Sequence, residues 1–147
     1  MKTPFTADQF LPTKWDTAKQ KAKFANHFVR FVESEFKPTL FYDWFYKRLS
    51  MTFGHIAHYN RAGFYETFFA SLQGRLRFAE ITLKGGYGSD PAYTYSDVES
   101  ALKRWALETD LSGRCARDLS AAVEISERLE LERLQVKYGK AEGKEAR

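Results

Sequence analysis

The residues whose chemistry stands out first are two histidines separated by two positions, His55 and His58. On a helix this spacing places both imidazoles on one side, where they could form part of a metal site if carboxylates joined them. Asp43 and Glu66 are the nearest acids along the chain, and the sequence has no His-Glu-x-x-His motif and no second cysteine. We therefore expect no metal and no cofactor, and we interpret the two histidines as hydrogen-bonded residues within an aromatic region.

The two histidines belong to a wider polar cluster that contains acids, bases and hydrogen-bond donors. Its members are His55, His58, Tyr59, Asn60, Arg61 and Glu66. Such a set is typical of an active site, but it is equally typical of a polar network that fixes helix packing. We favour the packing network. The alternative is a small enzyme or ligand-binding protein whose site lies in this cluster.

A row of cations on the first predicted helix indicates an anionic partner. Lys19, Lys23, Arg30 and Lys37 lie within about 40° of one another when successive residues are placed at 100° intervals. The net charge is +4, and residues 1–48 alone hold nine Lys or Arg against five Asp or Glu. This asymmetry predicts contact with phosphates or with an acidic protein surface. The alternative is a solvated basic helix with no partner.

Residues 84–95 form a loop rich in glycine and tyrosine. The loop matches neither the P-loop pattern nor the dinucleotide-binding pattern, so a nucleotide site of a known kind is not supported. Lys84 and Tyr87 are nevertheless candidates for pairing and stacking with a nucleic acid or protein partner, and an ordinary flexible connection is the alternative. The single cysteine, Cys115, lies on an apolar helix stripe, where buried packing is expected rather than nucleophilic chemistry.

The elements that must position these residues are helices. Apolar residues at spacings of three and four predict helices over 14–36, 39–53, 64–83, from Ser96 onward, and 114–138, with Thr13 capping the first. We expect a mainly α fold, a compact bundle of about five helices in one domain over 14–138. Residues 1–13 are predicted to form an irregular arm and residues 139–147 a charged, frayed tail. Alternating residues also allow a short β-hairpin near 75–95.

Aromatic residues are predicted to fill the centre of this bundle. The chain has 24 of them, and 11 lie within residues 41–69. The last helix differs, because it carries two apolar strips. One contains Cys115, Leu119, Ala122, Leu129 and Val136 and is interrupted by Ser126 and Arg133. The other contains Leu131, Leu134 and Tyr138. A helix with two apolar sides is either deep in its own fold or docked on another chain, so a homodimer or a self-assembling structural subunit is an alternative function.

Composition narrows the class of protein. The sequence has no apolar run typical of a signal peptide or a membrane span, and a lone cysteine allows no internal disulfide, so we expect a cytoplasmic protein with no membrane partner. No catalytic motif is present. We therefore expect a small non-enzymatic binding or regulatory protein that docks on nucleic acid, a nucleoprotein or an acidic protein partner. Mobile-element accessory proteins and inhibitors of host complexes have this general composition, and that role is one of the expectations.

Overall fold

The computed structural model describes residues 4–53, 59–82 and 90–145, and these residues are mainly helical, as predicted. The α-helices are α1 (Ala18–Glu33), α2 (Asp43–Thr52), α3 (Arg61–Phe68), α4 (Leu72–Arg77), α5 (Ser96–Glu108) and α6 (Leu111–Glu145). Short 3-10 turns occupy Ala7–Gln9 and Pro38–Leu40, and a π-helical turn occupies Phe78–Thr82. The described ranges thus hold six α-helices, where the sequence predicted about five, and they hold no strand.

The region of the predicted hairpin contains helix and turn wherever it is described. Residues 75–82 belong to α4 and the π-helical turn, and residues 90–95 form a turn before α5, while 83–89 lie outside the described residues. The single helix predicted over 64–83 is divided in two. Ser71 begins a new helix by accepting a hydrogen bond from the Gly74 backbone N–H at 3.0 Å. Gly74 is required here, since a Cβ would lie 2.4 Å from the Thr67 carbonyl oxygen of α3.

The first helix is shorter than predicted at both ends. Thr17, not Thr13, is its cap, in a capping box with Gln20 whose two hydrogen bonds measure 2.7 and 3.1 Å. The helix ends at Glu33, because Glu35 and Phe36 both adopt left-handed backbone angles, with φ of 63° and 59°. The sequence gives no sign of this reversal, since neither position is glycine.

Aromatic side chains form the core, as predicted. Phe31 of α1 is fully buried and contacts five other rings. Those rings belong to Phe36, Phe41, Phe45, Tyr65 and Phe69. The predicted apolar face of α1 is also confirmed, because Ala22, Ala25, Val29 and Val32 are buried with the phenylalanines. This packing turns the opposite face of α1 toward solvent.

A buried lysine joins α1 to α5. Lys21 has no exposed surface, and its Nζ lies 2.9 Å from Asp97 Oδ1 in an ion pair. The same ammonium donates to the carbonyl oxygens of Pro91 and Thr94 at 2.8 and 2.9 Å. All three donors of the ammonium are therefore satisfied, which is what a buried charge requires.

Helix α6 packs on α4, α5 and the π-helical turn only with its first turns. Leu111 and Cys115 are buried, but nearly every residue from 120 to 139 is exposed. At 1.5 Å per residue the whole helix is about 52 Å long, so its outer half projects from the body. It continues to Glu145, through most of the segment predicted to be a frayed tail.

In the described part of the chain, no helix combines the length and the apolar character needed to cross a bilayer.

Candidate functional site

The outward face of α1 carries three of the predicted cations. Lys19, Lys23 and Arg30 are exposed, and none of them forms an ion pair with a described residue. The three side chains follow one side of the helix over about 16 Å, from the 1.5 Å rise per residue. Their charges are therefore free to meet an external anion.

Two aromatic residues from the α2 region border these cations. The Lys23 ammonium lies 4.9 Å from the centre of the Trp44 ring, in a cation–π contact. Tyr42 lies beside Trp44, with ring centres 6.3 Å apart, and is 41% exposed. We call Lys19, Lys23, Arg30, Tyr42 and Trp44 the cationic-aromatic face.

A buried histidine supports this face from below. His27 Nε2 donates a hydrogen bond of 2.7 Å to the Leu40 carbonyl, which ties α1 to the turn before α2. Its ring centre lies 5.1 Å from that of Tyr42 and 5.0 Å from that of Trp44, so it positions the exposed Tyr42 ring and the partly buried Trp44 ring. Burial lowers the pKa of His27, and the positive charges of Arg30 and Lys23 lower it further. His27 is therefore a neutral support rather than a fourth positive charge.

A small cleft of about 170 Å³ opens between α1 and α2 at this face. Its walls are formed by Asp16, Gln20, Lys23, Phe24, Trp44 and Arg48. Asp16 and Arg48 form an ion pair of 3.0 Å across it. Trp15, next in sequence to Asp16, is 72% exposed, the largest exposure among the big apolar side chains of the described residues. Lys23 and the partly exposed ring of Trp44 thus line the cleft, and the exposed Trp15 precedes one of its wall residues in the sequence.

The other residues predicted to bind a partner, Lys37, Lys84 and Tyr87, are not part of the cationic-aromatic face. Lys37 is exposed but follows the left-handed turn, so it does not extend the helical row. Lys84 and Tyr87 lie outside the described residues. Sequence periodicity does not indicate that Trp15 and Trp44 lie near the cation row, and Trp44 also packs against the core. One signal was available, since Trp15 stands between Lys14 and Asp16 and outside any apolar stripe.

The predicted polar cluster separates into different roles where it is described. Asn60 caps α3, its Oδ1 accepting from the Gly63 backbone N–H at 2.7 Å. Tyr59 packs edge-on against Phe64 and Phe68, and its carbonyl accepts a hydrogen bond from the Tyr46 hydroxyl. Asn60 and Tyr59 thus make capping and packing contacts in this structure. His55 and His58 lie outside the described residues.

Arg61 and Glu66 of the same cluster are exposed on α3. They line a groove of about 420 Å³ together with residues of the 38–42 segment. The groove is open, and both charged side chains lie at its surface.

No metal-binding set occurs among the described residues, which contain no group of three or more His, Cys, Asp or Glu side chains placed to share an ion. Cys115 is buried, as predicted. Burial and the nearby Asp118 carboxylate raise the pKa of its thiol, with Arg114 and Arg75 acting in the opposite direction. A raised pKa disfavours the thiolate that nucleophilic chemistry needs.

No family model matches the chain, and no curated protein or solved structure matches it either. Among the sites above, the cationic-aromatic face is the one that combines cations without a described carboxylate partner with an exposed tyrosine ring and a partly exposed tryptophan ring.

Proposed function

We propose that the protein is a non-enzymatic binding protein that takes single-stranded nucleic acid on its cationic-aromatic face. The observation that carries the proposal is the contact of Lys23 with the Trp44 ring on a helix face whose other cations, Lys19 and Arg30, have no described carboxylate partner. Proteins that bind single strands combine a positive track for the backbone with rings on which bases stack.

The aromatic residues favour nucleic acid over an acidic protein surface. An acidic protein would need only the charges, whereas bases need flat apolar rings beside the charges. Trp15 and Tyr42 present such rings in the open, and Trp44 lines the same cleft as Lys23. A base stacked on Trp44 would take the place of the Lys23 ammonium, which would then be released to a phosphate.

The number of cations sets the expected strength of binding. Three phosphate contacts on a single strand give a slope of about −2 in a plot of log K against log salt. Such binding is moderate and not sequence-specific, because phosphates and stacked rings carry little sequence information. This strength suits an accessory or regulatory protein that acts on exposed single strands.

Fluorescence anisotropy with a labelled oligodeoxythymidine at several salt concentrations tests the proposal. The variant Lys23→Gln/Arg30→Gln should bind more weakly, and its salt slope should fall by about 0.7 for each cation removed. The matched control is Arg77→Gln/Arg104→Gln, which removes two exposed cations from α4 and α5 and should leave both affinity and slope unchanged.

The stacking part of the proposal has a separate test. Trp15→Ala should weaken binding by about 1–3 kcal/mol, since Trp15 is exposed and its loss leaves the core intact. Polyglutamate serves as the competing probe, because it offers carboxylates without bases. If polyglutamate binds as tightly as the oligonucleotide and Trp15→Ala has no effect, the partner is an acidic protein and the nucleic-acid proposal is wrong.

A further inference from the structure

The apolar stripe that anchors α6 continues beyond the body of the protein. Leu111 and Cys115 are buried in the body, and Ile125, Leu129 and Val136 lie on the same side of the helix, within an arc of about 80°. These three side chains are 60%, 61% and 60% exposed. From Ala122 to Val136 the stripe therefore extends about 21 Å into solvent, at 1.5 Å per residue, without a described neighbour to cover it.

The charges along the same helix are distributed unequally. Residues 118–132 hold five carboxylates and one arginine, a balance of −4. Residues 133–145 hold four cations and two carboxylates, a balance of +2. An identical helix running in the opposite direction and centred at Leu129 would bring the two carboxylates of residues 118–125 beside the three cations of residues 133–140, at both ends of the pair, whereas a parallel copy would bring like charges together.

An open groove of about 460 Å³ lies at the base of α6, on the side of the stripe. Leu111, Cys115 and Asp118 of α6 form one wall, and residues of α1, α4 and the left-handed turn form the other. The groove therefore lies at the N-terminal end of the stripe and is open to solvent. A helix lying along the stripe has room to reach the body.

We infer that the outer half of α6 pairs with the outer half of α6 from a second copy of this chain, antiparallel, along the stripe formed by Ala122, Ile125, Leu129 and Val136. The inference goes beyond the proposed function, because it concerns a surface that shares no residue with the cationic-aromatic face. The end of each helix approaches the groove at the base of its partner.

A second copy fits this surface for two physical reasons. The charge gradient is complementary to itself only in the antiparallel orientation, which a two-fold symmetric pair satisfies at both ends at once. Specific interfaces bury about 1,200–2,000 Å² in total, and a helix pair about 30 Å long with groove contacts at both ends approaches that range. The opposite strip, Leu131, Leu134 and Tyr138, takes no part in this pairing.

Sedimentation equilibrium of the full chain over a range of concentrations tests the inference. Wild type should show a monomer–dimer equilibrium, and Leu129→Glu should raise the dissociation constant at least tenfold. The matched control is Leu131→Glu, which introduces the same charge at a leucine of similar exposure, 56%, on the opposite side of the helix. Both leucines are exposed, so both variants keep the folded body, which circular dichroism checks.

Orientation is measured with spin labels. In a Cys115→Ser background a label at Ser120→Cys should lie about 27 Å from its copy in an antiparallel pair centred at Leu129, and about 10 Å in a parallel pair. A strictly monomeric wild type, equal effects of the two leucine variants, or labels at the shorter distance would each overturn the inference. Loss of oligonucleotide binding, by contrast, would overturn only the proposed function.

Discussion

In the body of the protein Phe31 contacts five aromatic rings and has no exposed surface, whereas in the outer half of α6 Leu131 is 56% exposed. Both residues are apolar and both lie on helices. The body is stabilised by burial of large rings, which outweighs modest helix propensity. The outer half of α6 is helical because its sequence is rich in Leu, Glu, Ala, Arg and Lys, which favour helix without tertiary contacts.

The ion pairs of the two regions show the same contrast. Lys21 and Asp97 form a pair in which the lysine is fully buried. Glu124 and Arg128, four residues apart on α6, form a shorter pair of 2.6 Å, but both side chains are more than half exposed. A short distance alone does not make an ion pair important, since water competes with the exposed one. The comparison shows that burial from water, rather than position on a helix, decides how much each ion pair adds to the free energy of unfolding.

The largest expected effect comes from removing a ring at the centre of the body. Phe31→Ala should lower the free energy of unfolding by about 3–5 kcal/mol, because it removes contacts with five rings and leaves a cavity. Leu131→Ala should change it by less than about 0.5 kcal/mol. Urea denaturation followed by circular dichroism measures both. Equal losses would show that the outer half of α6 is packed as tightly as the body.

Breaking the two ion pairs, Lys21–Asp97 and Glu124–Arg128, should lower the free energy of unfolding by clearly different amounts. Lys21→Met should cost about 3 kcal/mol of unfolding free energy, because Asp97 and two carbonyl groups lose their partner in a buried setting. Arg128→Met should cost at most about 0.5 kcal/mol. The same urea titration compares them, and a small effect at Lys21 would contradict the assignment of a buried, satisfied ammonium.

Alkaline pH should lower the free energy of unfolding through a buried tyrosine of the body, Tyr95. Burial raises the pKa of Tyr95 to about 12, with the Asp16 carboxylate acting in the same direction, whereas an unfolded tyrosine titrates near about 10. The folded state therefore favours the neutral phenol. The contribution of the Tyr95 phenol to the free energy of unfolding is fully present below about pH 10. It is lost as pH rises from about 10 to 12, a loss of about 2–3 kcal/mol.

Tyr95→Phe should remove this part of the pH dependence, and Tyr138→Phe, at an exposed position of α6, should not. At neutral pH Tyr95→Phe should leave stability unchanged or raise it, since the buried hydroxyl has no hydrogen-bond partner among the described residues. Denaturation midpoints at pH 9 to 12 give the comparison. Identical profiles for wild type and Tyr95→Phe would show that the hydroxyl is not buried as described.

The smallest effects are glycine substitutions, which should have opposite signs in the two regions. Glu35→Gly should raise the free energy of unfolding by about 1 kcal/mol, because glycine adopts the left-handed φ of 63° without the steric strain that a Cβ introduces. The Glu35 side chain is exposed, so its removal costs no burial. Ala121→Gly, in the regular helix of α6, should lower local stability by about 1 kcal/mol. Hydrogen exchange at the neighbouring amides measures both. A destabilised Glu35→Gly would show that the Glu35 side chain stabilises the turn.

Sequence periodicity predicted the helical class and the buried face of α1 correctly, because the spacing of Ala22, Ala25, Val29 and Val32 is a local property. It misplaced the end of α1, since the left-handed turn at Glu35 and Phe36 contains no glycine and is held by distant partners. Phe36 stacks on Phe69 with ring centres 5.5 Å apart, and its carbonyl accepts a hydrogen bond of 2.6 Å from the Tyr65 hydroxyl. Those contacts come from residues about 30 positions away.

The candidate site was predicted only in part. The cation row on α1 follows from a fixed angle per residue, so Lys19, Lys23 and Arg30 were placed together correctly on one side of the helix. The contact of Lys23 with Trp44 did not follow from any spacing, because the two residues lie on different helices. The crossing of α1 and α2 brings them together, and that crossing depends on which aromatic side chains fill the core.

By itself, the sequence determined that this protein is mainly helical and that α1 has a cationic side, because helix formation and helix faces depend on residues three and four apart. Only the tertiary structure decided that Lys21, on the apolar side of α1, meets the Asp97 carboxylate of α5. It also decided that α6 leaves the body after its first turns. Both outcomes depend on contacts between segments distant in sequence, which local patterns do not encode.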